Sequence, residues 1–588
     1  MGLRELLSRG RRRPLRLYYD EAYRLPVTGG VDAHQELRRA DDAAHYLVHA
    51  KAVRPEDVIT PQPVSYEALA RAHTAAYLES LHEAETLAQI FAAEPSELFV
   101  DEVLRSLRIA CGGTLAAARH VLEHGGAALN LMGGFHHAAP SRGAGFCALN
   151  DVAVALAQLR HDGFGGKAAV IDLDFHPPDG TAECLGKDPT VWLGSISGAD
   201  WGPLPGVDEV ELPEGTDDAT YLAALDALLS RIPEVRLAFV LAGGDVLNGD
   251  RLGRFRLTLP GVRRRDLQVA LRLGSVPQVW LPAGGYSSNA WKVLAGSGLV
   301  LAFHSEEPIP VDYDPLAARM TGIARSLKPE SLGSDLTLSD ADLAEALGMA
   351  RGGPRKFMQF YTAEGIEYAL ERYRILPVLR RLGFDQLHVV IDTVGPYDRA
   401  RLVGRDKANG QPATLVDLEV ERKQLADGVY LFVNWLTLRN PRAHFSALRP
   451  QLPGQEVPGL GLAREFSNLL GLMAQRLMLD GVAFRPSWYH MAWAARHNAR
   501  FVAPERQGRF EALMRDLASM NLLDATRAVA EGRVLLNGQP YTWEPDEMVS
   551  RTHPHEDEAD RAAIVAERDR CRFTVLPAGA RATQGKAG

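Results

Sequence analysis

Short apolar runs alternate with helical patterns along the first half of the chain. Asp151 to Leu159 and Ala219 to Leu229 have helical spacing, and Asp217 or Asp218 is the expected N-cap of the second helix. Strands that alternate with helices predict an α/β fold with a parallel sheet and helices on both faces. The apolar runs that predict its buried strands are residues 127–131, 168–173, 237–241 and 279–281.

Each of these predicted strands is followed by a polar or glycine-rich segment. In a parallel sheet the carboxyl ends of the strands meet at one edge, and chemistry collects on the loops there. The sequence therefore predicts a functional site built from these four segments. They are Gly133-Gly134-Phe135-His136-His137, Asp174-Phe175-His176, Gly243-Gly244-Asp245 and Ala283-Gly284-Gly285-Tyr286.

The pattern changes after about residue 318, where linker-like segments appear. We expect residues 340–383 to be helical, residues 387–391 to form a strand, and Asn409-Gly410 and Asn537-Gly538 to mark hairpins. The predicted domains are residues 1–318, an α+β region over 319–425, and a mainly helical region over 426–588 with a frayed tail from Glu556. Neither C-terminal region has a role that its sequence reveals.

Composition restricts the function classes further. The 588 residues are 46% apolar and 24% charged, which is ordinary globular usage. A net charge of −9 argues against nucleic acid as a partner, and no apolar stretch is long enough to span a membrane. The four cysteines form no CxxC pair, and the basic start has no apolar run behind it, so we expect a cytoplasmic protein. The sequence sets no oligomeric state.

Two carboxylates and an imidazole follow the strand at 168–173. Asp172, Asp174 and His176 share one face of an extended segment, which alone fits a hydrogen-bonded turn better than a metal site. Asp245 changes this interpretation, because a carboxylate after an apolar strand is costly to bury without a partner. Asp174, His176 and Asp245 would form the open ligand set of a catalytic Zn²⁺, and Fe²⁺ also suits it. Leu247 occupies the position where a dinuclear site would need another carboxylate, so we predict one ion.

Side chains suited to proton transfer lie in the same predicted loops. His136 and His137 are either a core pair or an acid and base for hydrolysis, with Asp172 and Asp179 fixing their tautomers. Tyr286 is either a core tyrosine or an O–H donor to an oxyanion.

The segment Gly145-Phe146-Cys147 places a flexible backbone point beside an aromatic side chain. Hydrolysis by metal-activated water needs no covalent step, so we do not expect Cys147 to be a nucleophile.

Over about residues 17–305 the chain resembles the histone deacetylase superfamily, which includes acetoin-utilisation proteins and acetylpolyamine amidohydrolases. The resemblance implies an arginase-deacetylase fold with an eight-stranded parallel sheet, and hydrolysis of acylated amines. The C-terminal half matches no family that we can name. The motifs that carry the resemblance are Gly133 to Ala138, Gly145 to Asp151, Asp172 to His176, Gly244 to Leu252 and Gly284 to Tyr286.

The resemblance also implies roles for individual residues. Zn²⁺ would bind to Asp174, His176 and Asp245. His137 would be the general base and acid with His136 as its electrostatic partner, and Tyr286 would polarise the acyl carbonyl. Asp172 and Asp179 would orient the histidines.

Substrate contacts and a structural K⁺ follow from the same resemblance. The substrate would contact Gly145, Phe146, Leu204 and Leu252, and the K⁺ ion would lie near Asp172, Asp174, His176 and Ser195. Two departures affect the substrate and the loop carrying Asp179. Pro177-Pro178 removes two N–H donors from that loop, and Leu204 stands where the family usually has an aromatic residue.

We therefore predict a zinc-dependent hydrolase of linear amides. Its substrate would be acetyl-lysine in a protein or peptide, or a small acetylated amine such as a polyamine. The alternative is an inactive module that binds acyl-amines, or a scaffold for the C-terminal half. In that half, the aromatic and histidine cluster around Trp488 and His490 fits a core helix better than a binding pocket.

Overall fold

The computed structural model describes residues 13–25, 38–198, 201–333, 356–425, 427–446, 449–553 and 558–577. The chain divides into two compact units, Met1–Leu316 and Ala317–Gly588. The predicted boundary after residue 318 lies close to this division. Among the helices that can be described, none combines the length and apolar character needed to cross a membrane.

The N-terminal unit is built on one eight-stranded sheet in which every pairing is parallel. The strand order is β2-β1-β3-β8-β7-β4-β5-β6. This confirms the predicted α/β class with an eight-stranded parallel sheet flanked by helices. The strands are Arg16–Tyr18 (β1), Val58–Ile59 (β2), Ala127–Asn130 (β3), Ala168–Asp172 (β4), Val191–Ser197 (β5), Val207–Glu211 (β6), Leu237–Leu241 (β7) and Gln278–Leu281 (β8).

Helices connect these strands, and several begin at side-chain caps. Asn150 accepts from Ala153 N at 2.9 Å, and Asp217 accepts from Thr220 N at 3.0 Å, which makes Asp217 the N-cap. Short 3₁₀ turns lie at Glu21–Tyr23, Pro55–Asp57 and Pro95–Glu97. The helices are Arg39–His49 (α1), Tyr66–Leu69 (α2), Ala75–Ser80 (α3), Ala84–Phe91 (α4), Val100–His124 (α5), Asp151–His161 (α6), Asp179–Leu185 (α7), Asp218–Leu229 (α8), Leu259–Leu273 (α9) and Ala290–Phe303 (α10).

The central strands explain where the site forms. Every residue of β4, β7 and β8 is buried, because helices cover both faces of a parallel sheet and leave no solvent side. In the strand register Asp172 pairs with Leu241, and Leu241 pairs with Leu281. The chain therefore leaves three neighbouring strands at the same level of the sheet, and the loops that follow lie side by side.

The C-terminal unit has its own sheets. Seven strands lie in the order β14-β17-β13-β12-β11-β10-β9, and three more in the order β16-β15-β18. Within the larger sheet the β12–β13 pairing is parallel and the other pairings are antiparallel. The strands are Phe384–Val394 (β9), Tyr397–Asp406 (β10), Pro412–Leu425 (β11), Gly428–Leu438 (β12), Gly481–Phe484 (β13), Arg500–Phe501 (β14), Val534–Leu536 (β15), Gln539–Pro540 (β16), Met548–Arg551 (β17) and Phe573–Val575 (β18).

Helices pack with these strands, and a 3₁₀ turn lies at Pro329–Leu332. Both predicted hairpins are present: residues 409–410 lie in the β10–β11 connection, and residues 537–538 join β15 to β16. Asn537 and Gly538 have φ of 49° and 81°, the positive values that a tight two-residue hairpin requires. The helices are Pro315–Ser326 (α11), Ala363–Arg372 (α12), Ile375–Arg381 (α13), Ala463–Arg476 (α14), Tyr489–Ala495 (α15), Pro504–Asp516 (α16), Leu522–Ala530 (α17) and Glu558–Arg570 (α18).

Several C-terminal expectations differ from the structure. Of the helix expected over 340–383, residues 340–355 lie outside the described residues, and the rest contains α12 and α13 separated by Tyr373 and Arg374. The predicted boundary at 425–426 falls at the connection of β11 to β12, so both predicted regions share one sheet. The tail from Glu556 is not frayed over 558–577, where α18 and β18 form; residues 556–557 and 578–588 lie outside the described residues.

Candidate metal centre and active site

Two carboxylates and one imidazole converge at the ends of β4 and β7. One ligand atom from each of Asp174, His176 and Asp245 can be chosen so that all three lie within 4.8 Å of one another. His176 Nδ1 is 3.1 Å from Asp174 Oδ1 and 3.0 Å from Asp245 Oδ2. Both carboxylates are fully buried, so their charges are removed from water. The mixed oxygen and nitrogen set suits one divalent cation with an open coordination position.

The pKa values of Asp245 and His176 are both raised, as expected where two buried carboxylates have too little positive charge nearby. Burial raises the pKa of Asp245 to about 7, and the neighbouring Asp174 carboxylate acts in the same direction. Burial lowers the pKa of His176, but the two carboxylates outweigh it and raise the value to about 10. A proton held on His176 thus balances part of the negative charge, and a divalent cation would balance all of it.

Glycines create the space in which the carboxylates converge. A Cβ atom on Gly284 would lie 2.5 Å from Asp174 Oδ2 and 2.8 Å from Asp245 Oδ2. A Cβ atom on Gly243 would lie 2.6 Å from Asp174 Cα. Gly284 N also donates to Asp174 Oδ2 at 2.6 Å. The residues present therefore fit a bound cation in both donor chemistry and space.

Two histidine–carboxylate pairs lie beside the cluster. His136 Nδ1 is 2.9 Å from Asp172 Oδ2, and His137 Nδ1 is 2.7 Å from Asp179 Oδ1. The two rings are adjacent, with centroids 4.1 Å apart. Because the carboxylates hold both Nδ1 atoms, Nε2 of each ring is the atom available for proton exchange.

The environments of the two histidines push their pKa values apart. Burial lowers the pKa of His136, but Asp172 and Asp174 outweigh this effect and raise it to about 9. For His137 burial is again the largest cause, the His136 charge adds to it, and the pKa stays lowered. A neutral His137 beside a charged His136 is the arrangement expected of a proton acceptor and its electrostatic partner.

The two prolines after His176 leave the Asp179 contact in place. Helix α7 begins at Asp179, whose N–H donates to Pro177 O at 2.9 Å. Arg142 contacts the other carboxylate oxygen of Asp179 at 3.1 Å. The departure from the family pattern therefore preserves the histidine–carboxylate pair.

Tyr286 is held at the site through its backbone. Tyr286 N and Ser287 N donate to Asp250 Oδ2 at 2.7 and 3.0 Å. Burial, with Asp174 and Asp245, raises the pKa of Tyr286 well above its usual value. The hydroxyl therefore stays protonated and can act as a hydrogen-bond donor.

Cys147 does not have the properties of a nucleophile. Its side chain is buried, and burial raises the pKa of the thiol, which disfavours the reactive thiolate.

Aromatic side chains flank the cluster, and one of them, Trp201, was not among the predicted site residues. The Phe146 ring centroid lies 5.8 Å from that of Tyr286, and the Trp201 ring lies 5.3 Å from His137 and 6.2 Å from His176. Trp201 is half exposed. The substrate contacts expected of Leu204 and Leu252 stay predictions. The signal that we missed is a tryptophan two residues before Pro203.

Backbone conformation places Phe146 and His137. Gly145 has φ of 52°, and a Cβ atom there would lie 2.5 Å from His137 Cδ2. Glycine is therefore required both for the turn and for the close approach to the imidazole. The substrate contact expected of Gly145 stays a prediction.

Two further positioning residues had no assigned role. Arg39 is half-buried and donates to Ala283 O at 2.6 Å and Gly284 O at 3.0 Å. Asp151 accepts from Gly134 N at 3.0 Å and so fixes the loop before the histidine pair. Asp151 stands within a motif that we quoted, whereas nothing in the local pattern around Arg39 marks it.

One buried hydroxyl lies where the sequence predicts a K⁺ site. The Ser195 hydroxyl is buried without a hydrogen-bond partner among the described residues, and Ser195 is directly paired with Asp172 in the sheet. An unpartnered buried hydroxyl is costly, so it is a reasonable oxygen ligand for a cation.

Comparison with known proteins identifies the class. The model of the histone deacetylase domain family matches residues 34–297, which lie within the N-terminal unit. Histone deacetylase 2 of Arabidopsis thaliana is 33% identical over 302 residues, covering 48% of this chain and 77% of that protein. An uncharacterized protein of Picosynechococcus sp. is 38% identical over 201 residues, covering 32% of this chain and 65% of that one. The chain belongs to the histone deacetylase family.

Among solved structures, a histone deacetylase homolog complexed with SAHA is similar to part of the chain. It shares 21% identity with a TM-score of 0.42, covering 51% of this chain and 87% of that chain. A homolog from Aquifex aeolicus shares 22% identity with a TM-score of 0.40, covering 49% and 84%.

We predict that Gly284→Ala weakens zinc binding by roughly 10- to 100-fold, the usual effect of disturbing the groups that orient metal ligands. The added Cβ would displace one of the two carboxylates that Gly284 now accommodates. Competition with a chelator measures the zinc Kd. Gly165→Ala is the matched control, because a Cβ atom there has nothing within 4 Å. Equal zinc affinity in both variants would contradict the assigned geometry.

Proposed function

We propose that the N-terminal unit is a metal-dependent deacylase that hydrolyses the amide bond of an acylated amine. The observation that carries this proposal is the convergence of three elements in one site: the cation-binding cluster, two histidine–carboxylate pairs and the Tyr286 hydroxyl. Zn²⁺ is the preferred ion, and Fe²⁺ suits the same ligands.

Asp174, His176 and Asp245 would hold the metal. When bound, Zn²⁺ supplies a Lewis acid and lowers the pKa of a water molecule for attack. His137 Nε2 accepts the proton of the attacking water and returns it to the leaving amine, while Asp179 holds the imidazole through Nδ1. His136, held by Asp172, supplies positive charge beside His137.

The Tyr286 hydroxyl donates a hydrogen bond to the acyl oxygen as negative charge develops on it. Its backbone is fixed by Asp250, which restricts where the side chain of Tyr286 can lie before the substrate arrives. Such preorganisation avoids the cost of reorienting solvent during the reaction.

The space beside Tyr286 favours a short acyl group. A cavity of about 70 Å³ is lined by Met132, Gly134, Phe146, Tyr286 and Arg39 among others. An acetyl group fits such a volume, whereas a long acyl chain does not. Phe146 and Trp201 would then flank the stem of the amine, which suits acetyl-lysine or an acetylated polyamine.

We also propose that K⁺ binds near Asp172, Asp174, His176 and Ser195. The buried Ser195 hydroxyl, which has no partner among the described residues, supports this assignment.

Acetate release from a panel of substrates tests the proposed function. We expect the zinc-loaded protein to release acetate from acetyl-lysine peptides or acetylpolyamines, and to act more slowly on longer acyl-lysines because of the small cavity. Binding of an acetyl-lysine peptide without acetate release would instead support an inactive module. A protein that binds neither zinc nor any of these substrates would contradict the proposed function.

We predict that Tyr286→Phe retains zinc but loses ~10²–10³-fold in kcat, the usual effect of removing one oxyanion donor. The hydroxyl is not a metal ligand, so metal content should not change. Steady-state acetate release and bound zinc are measured on the same preparation, with the exposed Tyr66→Phe as the control. Turnover within about threefold of wild type, far from that expected loss, would exclude the donor role.

We predict that Trp201→Ala lowers kcat/KM for an acetyl-lysine peptide roughly tenfold, mainly through KM, because the aromatic contact is lost from the substrate. Trp435→Ala is the matched control, because Trp435 is also half exposed and belongs to the C-terminal unit. Initial rates over a range of peptide concentrations distinguish the two. A kcat/KM for Trp201→Ala equal to that of Trp435→Ala would contradict the proposed contact of Trp201 with the substrate.

A further inference from the structure

The C-terminal unit contains a cavity of about 110 Å³. It lies among residues of α12, α14 and strands β9 to β11, and most of its lining is aliphatic or aromatic. Leu370, Leu402 and Phe466 line it and are each at most 7% exposed, so apolar groups face the empty space. This cavity is separate from the metal cluster, whose residues all belong to the other unit.

One corner of the cavity is polar. Tyr361, Tyr373 and Arg476 contribute to the lining. Burial raises the pKa of both tyrosines, and the Arg476 charge acts in the opposite direction on each. Both side chains are buried, and among the described hydrogen bonds neither hydroxyl has a partner. Two protonated hydroxyls are therefore available as donors.

The charge around the cavity is unbalanced. Arg476 donates to Ala324 O at 2.8 Å and Leu327 O at 3.1 Å, which are neutral acceptors, and no ion pair is described for it. The other arginine in the lining, Arg401, is paired with Asp392 at 2.5 Å. The described lining contains no acidic residue. A half-buried cation without an acid favours a ligand that carries negative charge.

We propose that this cavity binds a short aliphatic carboxylate of about four to six carbons. The chain would lie among the leucine and phenylalanine side chains, with the carboxylate at Arg476, Tyr361 and Tyr373. The volume of about 110 Å³ limits the chain to a few carbons. A long-chain lipid does not fit. The proposal concerns the C-terminal unit and does not depend on the deacylase activity.

Titration calorimetry on the full-length protein tests this site with three probes: butanoate, hexanoate and 1-hexanol. We expect one molecule of hexanoate per chain, bound more tightly than butanoate by roughly fourfold for each added methylene. Hexanoate should also bind at least roughly tenfold more tightly than 1-hexanol, because a hydrogen bond to a charged group is lost in the alcohol. Equal affinity for hexanoate and hexanol, or no saturable binding, would overturn the proposal.

Two variants distinguish hexanoate binding in this cavity from hexanoate binding at the metal cluster. Ala369→Phe, which adds a ring to a lining residue, should abolish hexanoate binding, whereas Asp245→Ala should not change it, since that residue belongs to the metal cluster. Loss of binding in Asp245→Ala with retention in Ala369→Phe would assign the carboxylate to the metal site and overturn the proposal.

A second pair of variants tests the polar corner. Arg476→Gln should weaken hexanoate binding roughly 10- to 100-fold and leave hexanol binding unchanged. This substitution also removes two bonds to backbone carbonyls, so Tyr361→Phe, which removes one unpartnered hydroxyl, serves as the milder variant and should weaken hexanoate binding several-fold. Thermal unfolding identifies any variant that is not folded. Unchanged hexanoate affinity in folded Arg476→Gln and Tyr361→Phe proteins would contradict the assigned carboxylate position.

Discussion

The N-terminal unit depends on holding two buried carboxylates close together. Asp174 and Asp245 leave adjacent parallel strands at the same level, and neither is exposed to water. Burial and the neighbouring charge of Asp174 together raise the pKa of Asp245 to about 7. Burying two neighbouring carboxylates is costly unless positive charge lies between them. His176 supplies at most one positive charge, whereas the two carboxylates carry two negative charges. A divalent cation is the group that this arrangement is suited to bind.

The hydrogen bonds around the two carboxylates hold the loops that carry them and the neighbouring site residues. Gly284 provides both the space and an N–H donor to Asp174, while half-buried Arg39 fixes the backbone of the Gly284 loop through its carbonyls. Asp151 and Asp250 act in the same way on the loops that carry the histidine pair and Tyr286. Because these bonds hold the backbone of each loop in buried or half-buried surroundings, the folded chain positions the candidate site residues before any ligand binds.

The predictable parts of the site follow directly from sheet geometry. Apolar runs identified the strands, and parallel packing brought Asp174 and Asp245 to one edge, so the candidate ligand set needed no structure. Trp201 was missed because an irregular loop after β5 has no periodicity that fixes where its side chains point. Arg39 was missed since its partners lie more than 240 residues away. In the C-terminal unit, the antiparallel pairing of β11 with β12 joins the two regions that the sequence separated. Composition does not reveal which strands pair.

Zinc titration of chelator-stripped, full-length protein shows whether Asp174, His176 and Asp245 bind one metal ion. Calorimetry on wild type and Asp245→Ala, each checked for an unchanged fold, reports the number of ions bound per chain and their affinity. We expect one ion per chain in wild type and no stoichiometric binding in the variant, where two protein ligands remain. An Asp245→Ala protein that still binds one zinc with wild-type affinity would contradict the account.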